Sequence, residues 1–113
     1  MTDTGGPHVG GPGARWTFLT NHAHVLLALH RNPDLRQRDI ARLVGLTEGG
    51  VQRILGDLQA AGYLDVDRVG RRNRYRVDLT GELRHPLDVG RTVGDLLRSF
   101  APDQRSRREA HAG

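Results

Sequence analysis

The 113-residue chain contains no cysteine and no lysine, so all 17 of its basic residues are arginine. Without thiols there is no disulfide framework, no thiolate metal site and no cysteine nucleophile. Without lysine there is no Schiff-base chemistry and no phosphate lysine of a P-loop. Aromatic residues make up 4% of the chain, too few for a surface on which unpaired bases of RNA or single strands stack. No apolar run approaches the ~20 residues that cross a bilayer. The first residues also lack the basic and apolar regions of a secretory signal. A cytoplasmic protein with no membrane partner is expected.

What remains is one small domain. Hydrophobic residues account for 36% and charged residues for 27%, with a formal net charge of +4, which bounds the chain to a thin core and a charged surface. The arginine bias, with abundant Gly and Ala, fits a GC-rich coding sequence. Residues 1–14 hold five of the 15 Gly and two of the five Pro and are expected to form a flexible tail. Residues 102–113 form a charged one. No internal repeat is present.

From Trp16 the apolar residues Phe18, Leu19, Ala23, Leu26, Leu27 and His30 recur at three and four, which predicts an amphipathic helix to about Arg31, stopped by Asn32-Pro33-Asp34. Thr20 or Asn21 could cap its main body. A second helix is expected over about Gln37 to Val44, with Ile40, Ala41, Leu43 and Val44 inward and Gly45 as its stop. Thr47 then caps a third helix whose apolar set is Val51, Ile54, Leu55 and Leu58, ended by Gly62. Beyond Gly62 the period switches to two: Leu64, Val66 and Val69 on one run, Tyr75, Val77 and Leu79 on the next, with Gly70-Arg71-Arg72-Asn73 as the tip of a hairpin. His85-Pro86 breaks the chain, and Thr92 opens a last short helix carrying Val93, Leu96, Leu97 and Phe100.

A small residue (Ala41), a turn glycine four positions on (Gly45) and the inward residues Leu46 and Val51 have the spacing of a helix-turn-helix. With Leu58-Gln59-Ala60-Ala61-Gly62-Tyr63-Leu64 running into a basic hairpin, the stretch Trp16 to Phe100 resembles bacterial winged helix-turn-helix transcription regulators of the MarR and ArsR type. The resemblance implies an α+β, mainly α fold: a three-helix core, a two-stranded wing and a short C-terminal helix. The domains expected are 15–80, the winged helix-turn-helix, and 81–101, a linker and C-terminal dimerisation helix. The partners it implies are double-stranded DNA and a second copy of the chain.

A helix fits the major groove and presents its first turns to base edges. The expected contacts are Thr47 to phosphate, Glu48 to cytosine or to its own helix start, Gly49 by close backbone approach, Gln52 to adenine and Arg53 to guanine or phosphate. Two features depart from the family's pattern: Gly49-Gly50 stands where larger residues are usual, either leaving the helix loose until DNA orders it or letting its backbone approach the groove closely, and Arg36 takes the place of a capping Ser or Thr. In the hairpin, residues 68–76 contain five Arg and no acid, so the positive excess is local. Arg71, Arg72, Asn73 and Arg74 are the expected minor-groove or phosphate contacts. Arg68 and Arg76, nearer the strand bodies, serve to solvate the sheet. Trp16, Phe18, Tyr63 and Tyr75 are expected in the core.

The last helix, if the core closes without it, is surplus apolar surface. Phe18, Leu26, Val93, Leu96, Leu97 and Phe100 are therefore the expected dimer interface. His22, His24, His30 and His85 do not fall on one helical face with a thiolate or carboxylate, so neither a metal nor any other cofactor is expected. No nucleophile, base and orienting group come together at enzyme-like spacing. The function expected is a sequence-specific, homodimeric regulator reading an inverted-repeat operator, nucleoid-associated when bound. The rival is a winged-helix protein-interaction module, which need not keep an acid-free basic wing. The sequence names neither operator nor effector.

Overall fold

Thr20, in extended conformation, accepts a hydrogen bond from the Ala23 N–H on its hydroxyl at 3.1 Å and so starts the first helix, α1, at Asn21–Arg31. The computed structural model describes residues 16–100; the expected tails, 1–14 and 102–113, lie outside the described residues. Because the cap falls at Thr20, residues 16–19 are not helical and the periodicity read from Trp16 does not carry them inward. Trp16 and Phe18 meet edge to face at 4.9 Å and are 65% and 91% exposed. The expectation that they fill the core is thereby corrected. The aromatic inside is Tyr75, with Tyr63 half-buried. The buried face of α1 is Val25, Leu26 and Leu29, while Leu27 is only half-buried and His30 is exposed.

The second helix, α2, spans Gln37–Val44. The Arg36 N–H donates to the Asp39 carboxylate at 3.3 Å, which satisfies one of the donors a helix start leaves open. Ile40 and Ala41 are buried, but Leu43, expected inward, is 67% exposed: it stands at the rim of a groove between α1 and α2 that Leu27 and Val44 also line. Gly45 takes a φ of 85° and its N–H returns to the Ala41 carbonyl at 2.8 Å, a left-handed turn that suits glycine. Thr47 opens the third helix, α3, Glu48–Ala60, by accepting from the Gly50 N–H at 3.0 Å. Val51, Ile54, Leu55 and Leu58 of α3 are all buried.

Two antiparallel strands follow, β1 (Leu64–Val69) and β2 (Arg72–Val77), with Leu64 opposite Val77, Val66 opposite Tyr75, and Val69 opposite Arg72. The hairpin tip is therefore the pair Gly70-Arg71; Arg72 and Asn73, expected in the tip, are strand residues. Gly70 has a φ of 63° and Arg71 has none of the positive values, the pattern of a two-residue turn whose first central residue must be glycine. The free edge of β2 is closed by the α1–α2 turn, where the Tyr75 N–H donates to the Pro33 carbonyl at 3.1 Å.

After β2 the chain folds back. The Asp78 carboxylate accepts from the Thr80 hydroxyl at 2.6 Å and the Thr80 N–H at 2.9 Å. These bonds hold its carboxyl below the usual range. A single-turn 3-10 helix at Pro86–Asp88 precedes the fourth helix, α4, Val93–Arg98. The start of α4 is a reciprocal cap: the Asp95 carboxylate accepts from the Thr92 N–H at 3.0 Å and the Thr92 hydroxyl from the Asp95 N–H at 3.1 Å. The Thr92 N–H above all keeps the Asp95 carboxyl below its ordinary value.

The position of α4 changes the reading of its apolar stripe. The Val93 N–H binds the Gly81 carbonyl and the Gly94 N–H the Leu79 carbonyl, each at 2.8 Å. A side chain added at Gly94 would sit 2.8 Å from that Leu79 oxygen, so only glycine lets the helix come this close. Val93 and Leu97 are 2% and 1% exposed and belong to the same core as Val25, Leu29, Ile40, Val51 and Leu64. The stripe is not surplus surface, because two of its four residues are consumed in closing the core; Leu96 is half-buried and Phe100 is 36% exposed. Leu26, another expected interface residue, is also in the core at 5%.

Candidate nucleic-acid interface

The helix-turn-helix presents α3 by its outer face. Thr47, Glu48, Gly49, Gln52 and Arg53 are all exposed. Neither Gln52 nor Arg53 has a side-chain hydrogen bond or ion pair among the described residues, so their donors and acceptors are free for a ligand. The Thr47 hydroxyl oxygen is engaged by Gly50, which leaves its O–H proton to donate outward. The far end of α3 is tied to α1 by His22 Nε2 and the Asp57 carboxylate, 2.9 Å apart.

The two glycines that open α3 do not break it: Glu48–Ala60 is continuous helix. Around Gly56 nothing lies within 4 Å of an added Cβ, and at Gly49 the nearest atom is Thr47 Oγ1 at 3.9 Å, whereas at Gly50 the same oxygen is 3.3 Å away. Gly56→Ala and Gly49→Ala are each expected to raise stability by about 0.5–1 kcal/mol, read as a shift of the urea midpoint at constant slope. If either variant is destabilised, α3 is not helical at that position in solution.

The wing distributes its five arginines unevenly. Along β2, Arg72, Arg74 and Arg76 alternate with Asn73, Tyr75 and Val77, and the register sets Val69, Asp67 and Asp65 opposite the three arginines. Arg76 reaches Asp67 at 3.2 Å and Asp65 at 3.5 Å. Arg74 reaches the Asp34 carboxylate at 3.4 Å, and Arg72 donates to the Asp34 carbonyl. Arg68 Nε donates to the Gly70 carbonyl at 3.3 Å, capping the turn. Arg71, at the tip, is exposed and makes no ion pair or side-chain hydrogen bond among the described residues. Arg74 and Arg76 thus carry intramolecular carboxylates, Arg68 and Arg72 bond neutral backbone carbonyls that leave their charge in place, and the guanidinium with no partner among the described residues is at the tip.

Three residues enter the site that sequence reasoning did not place there. Arg36 and Gln37, at the start of α2, line a groove of about 350 Å³ together with Leu35, Arg71, Arg72, Asn73 and Tyr75, so three arginines border the place where α2 meets the wing. The third is Asp34, 38 residues from Arg72 in sequence. No periodic signal connects positions so far apart. Arg36 carried a signal, its departure from the usual capping residue, but its neighbours were not legible. His85 caps the 3-10 turn, its Nδ1 accepting from the Leu87 N–H at 3.0 Å, and no group of three metal-ligating side chains is present among the described residues.

Among solved structures, the chain is similar to MepR, a transcription regulator of the Staphylococcus aureus multidrug efflux pump MepA, with 16% identity, coverage of 81% of this chain and 71% of that chain, and a TM-score of 0.49. No curated protein matches it in sequence. Residues 17–72 match the sequence profile of the MarR family. With α2, Gly45, α3 and the start of the glycine-turned wing in that order, the matched segment is a MarR-type winged helix-turn-helix.

Proposed function

We propose that this DNA-binding transcription regulator acts as a homodimer on an inverted-repeat operator, as a cytoplasmic protein held on the nucleoid when bound. In this reading α3 lies in the major groove, Gln52 and Arg53 read base edges, Thr47 donates to a phosphate, Gly49 lets the helix backbone come close, and Glu48 accepts from cytosine or from its own helix start. Arg71 leads the wing into the minor groove, with Arg72, Asn73 and Arg74 behind it. The observation that carries the reading is the outer face of α3: Gln52 and Arg53 are exposed and have no partner in the described chain, on the helix that the family's fold offers to DNA.

Dimerisation is proposed through the segment 81–101 with the start of α1. A groove of about 400 Å³ runs there, lined by Phe18, Leu19, Leu26, Val93, Leu96 and Leu97 among others. A partner would meet the exposed Phe18 and Phe100 and the half-buried Leu96, with the core residues Leu26, Val93 and Leu97 beneath. Two-fold symmetry would set the recognition helices roughly 34 Å apart, one DNA turn. The chain, offered random-sequence duplexes, is expected to enrich an inverted repeat with half-sites about 10 base pairs apart and to sediment as a dimer. Enrichment of no motif would overturn the reading in favour of an assembly module.

A further inference from the structure

The α1–α2 turn is tied to β2 at three points: the Pro33 carbonyl takes the Tyr75 N–H, the Asp34 carbonyl takes Arg72, and the Asp34 carboxylate takes Arg74. Asn32 holds the turn in shape, its side-chain oxygen accepting from the Asp34 N–H at 3.1 Å. Asp34 remains more than half exposed, at 58%, and Arg74 at 56%. The pair therefore sits at the surface beside the groove where Arg36, Arg71 and Arg72 meet. Asp34 is Arg74's ion-pair partner among the described residues, whereas Arg76 has two carboxylates of its own.

We propose that Asp34 is a specificity-determining residue of the DNA-binding surface, its carboxylate occupying the place on Arg74 that a backbone phosphate would otherwise take. The proposal rests on the DNA-binding reading above. Phosphate contacts carry no sequence information and supply most of the affinity for arbitrary duplex. A fixed negative charge among the wing arginines removes one such contact and repels the phosphates that approach Arg72 and Arg71. Binding to arbitrary duplex, which depends on phosphates alone, falls most, while on a preferred sequence the base contacts of α3 and not an Arg74–phosphate bond fix the complex, so discrimination between sequences widens. An exposed ion pair of this kind adds little to folding, which leaves the charge itself as what the residue contributes.

The test uses the full chain and two fluorescent 30-base-pair duplexes, one of mixed sequence and one enriched from a random pool, titrated across salt concentration. Asp34→Asn is expected to raise affinity for the mixed duplex roughly 3- to 10-fold near 0.1 M salt and to steepen the slope of log affinity against log salt by about 0.9. Asp34→Lys should steepen it again, and the preference for the enriched duplex should shrink in both. Arg74→Ala placed in the Asp34→Asn background should abolish the gain. Thermal melts matching the parent show that the changes are electrostatic. Unchanged slopes in both variants, or weaker binding to both duplexes, would overturn the proposal and make Asp34 a brace for the wing alone. If the parent chain binds neither duplex in a salt-dependent way, the DNA-binding reading itself falls.

Discussion

Leu97→Asp is expected to unfold the domain rather than to release monomers from a dimer. Leu97 is 1% exposed, packed under α4 against the core, and truncating a buried leucine to alanine alone costs about 2–5 kcal/mol. An aspartate there would also bury a charge with no partner. Small domains have about 5–15 kcal/mol of total stability, so loss of the cooperative thermal transition is the expected result by circular dichroism. A variant that stays folded and sediments as a monomer would show that α4 is separable from the core and serves only as an interface. Phe18→Asp is the complementary change, because that side chain is 91% exposed. It should leave the melting curve in place and weaken self-association.

The second large effect concerns α3. Gln52→Ala or Arg53→Ala is expected to cost about 1–3 kcal/mol of binding to the enriched duplex and to relax the preference at one base pair of each half-site. The mixed duplex should lose little from Gln52→Ala, since an uncharged side chain offers no phosphate neutralisation. Arg71→Ala should behave in the opposite way, with affinity falling on every sequence and the salt slope declining by about 0.9. The contrast separates the readings: equal losses on all sequences from Gln52→Ala would remove direct readout from α3, and an unchanged slope in Arg71→Ala would remove the wing tip from the complex.

Helices α2 and α3 were legible because their signals are local. A cap, a turn glycine and an apolar stripe at three and four lie within one or two helical turns of each other, and Thr47, Gly45 and Val51–Leu58 act as read. The hairpin was legible from its period of two, but its tip was not: four polar residues in sequence do not say which of them pair, and the register puts Arg72 and Asn73 into β2. Trp16 and Phe18 misled because hydrophobicity marks a residue for burial without stating where a cap interrupts the helix. The α4 stripe misled for a related reason. Its spacing is the same whether it closes a core or meets a partner, and the outcome turned on the close approach of Gly94 to Leu79.

The sequence by itself determined the order of elements, the site of the turn and the concentration of arginine in the wing, all of which depend on residues a few positions apart. It also determined that every cationic contact is a guanidinium, since the chain has no lysine. Only the tertiary structure decided which of those charges are available. Asp34, Asp65 and Asp67 lie outside the acid-free stretch 68–76, yet strand pairing and the α1–α2 turn bring their carboxylates onto Arg74 and Arg76. Electrostatic interaction depends on distance in space rather than along the chain, so of the five arginines two are paired with carboxylates, two are held on backbone carbonyls, and the one at the tip has no partner among the described residues.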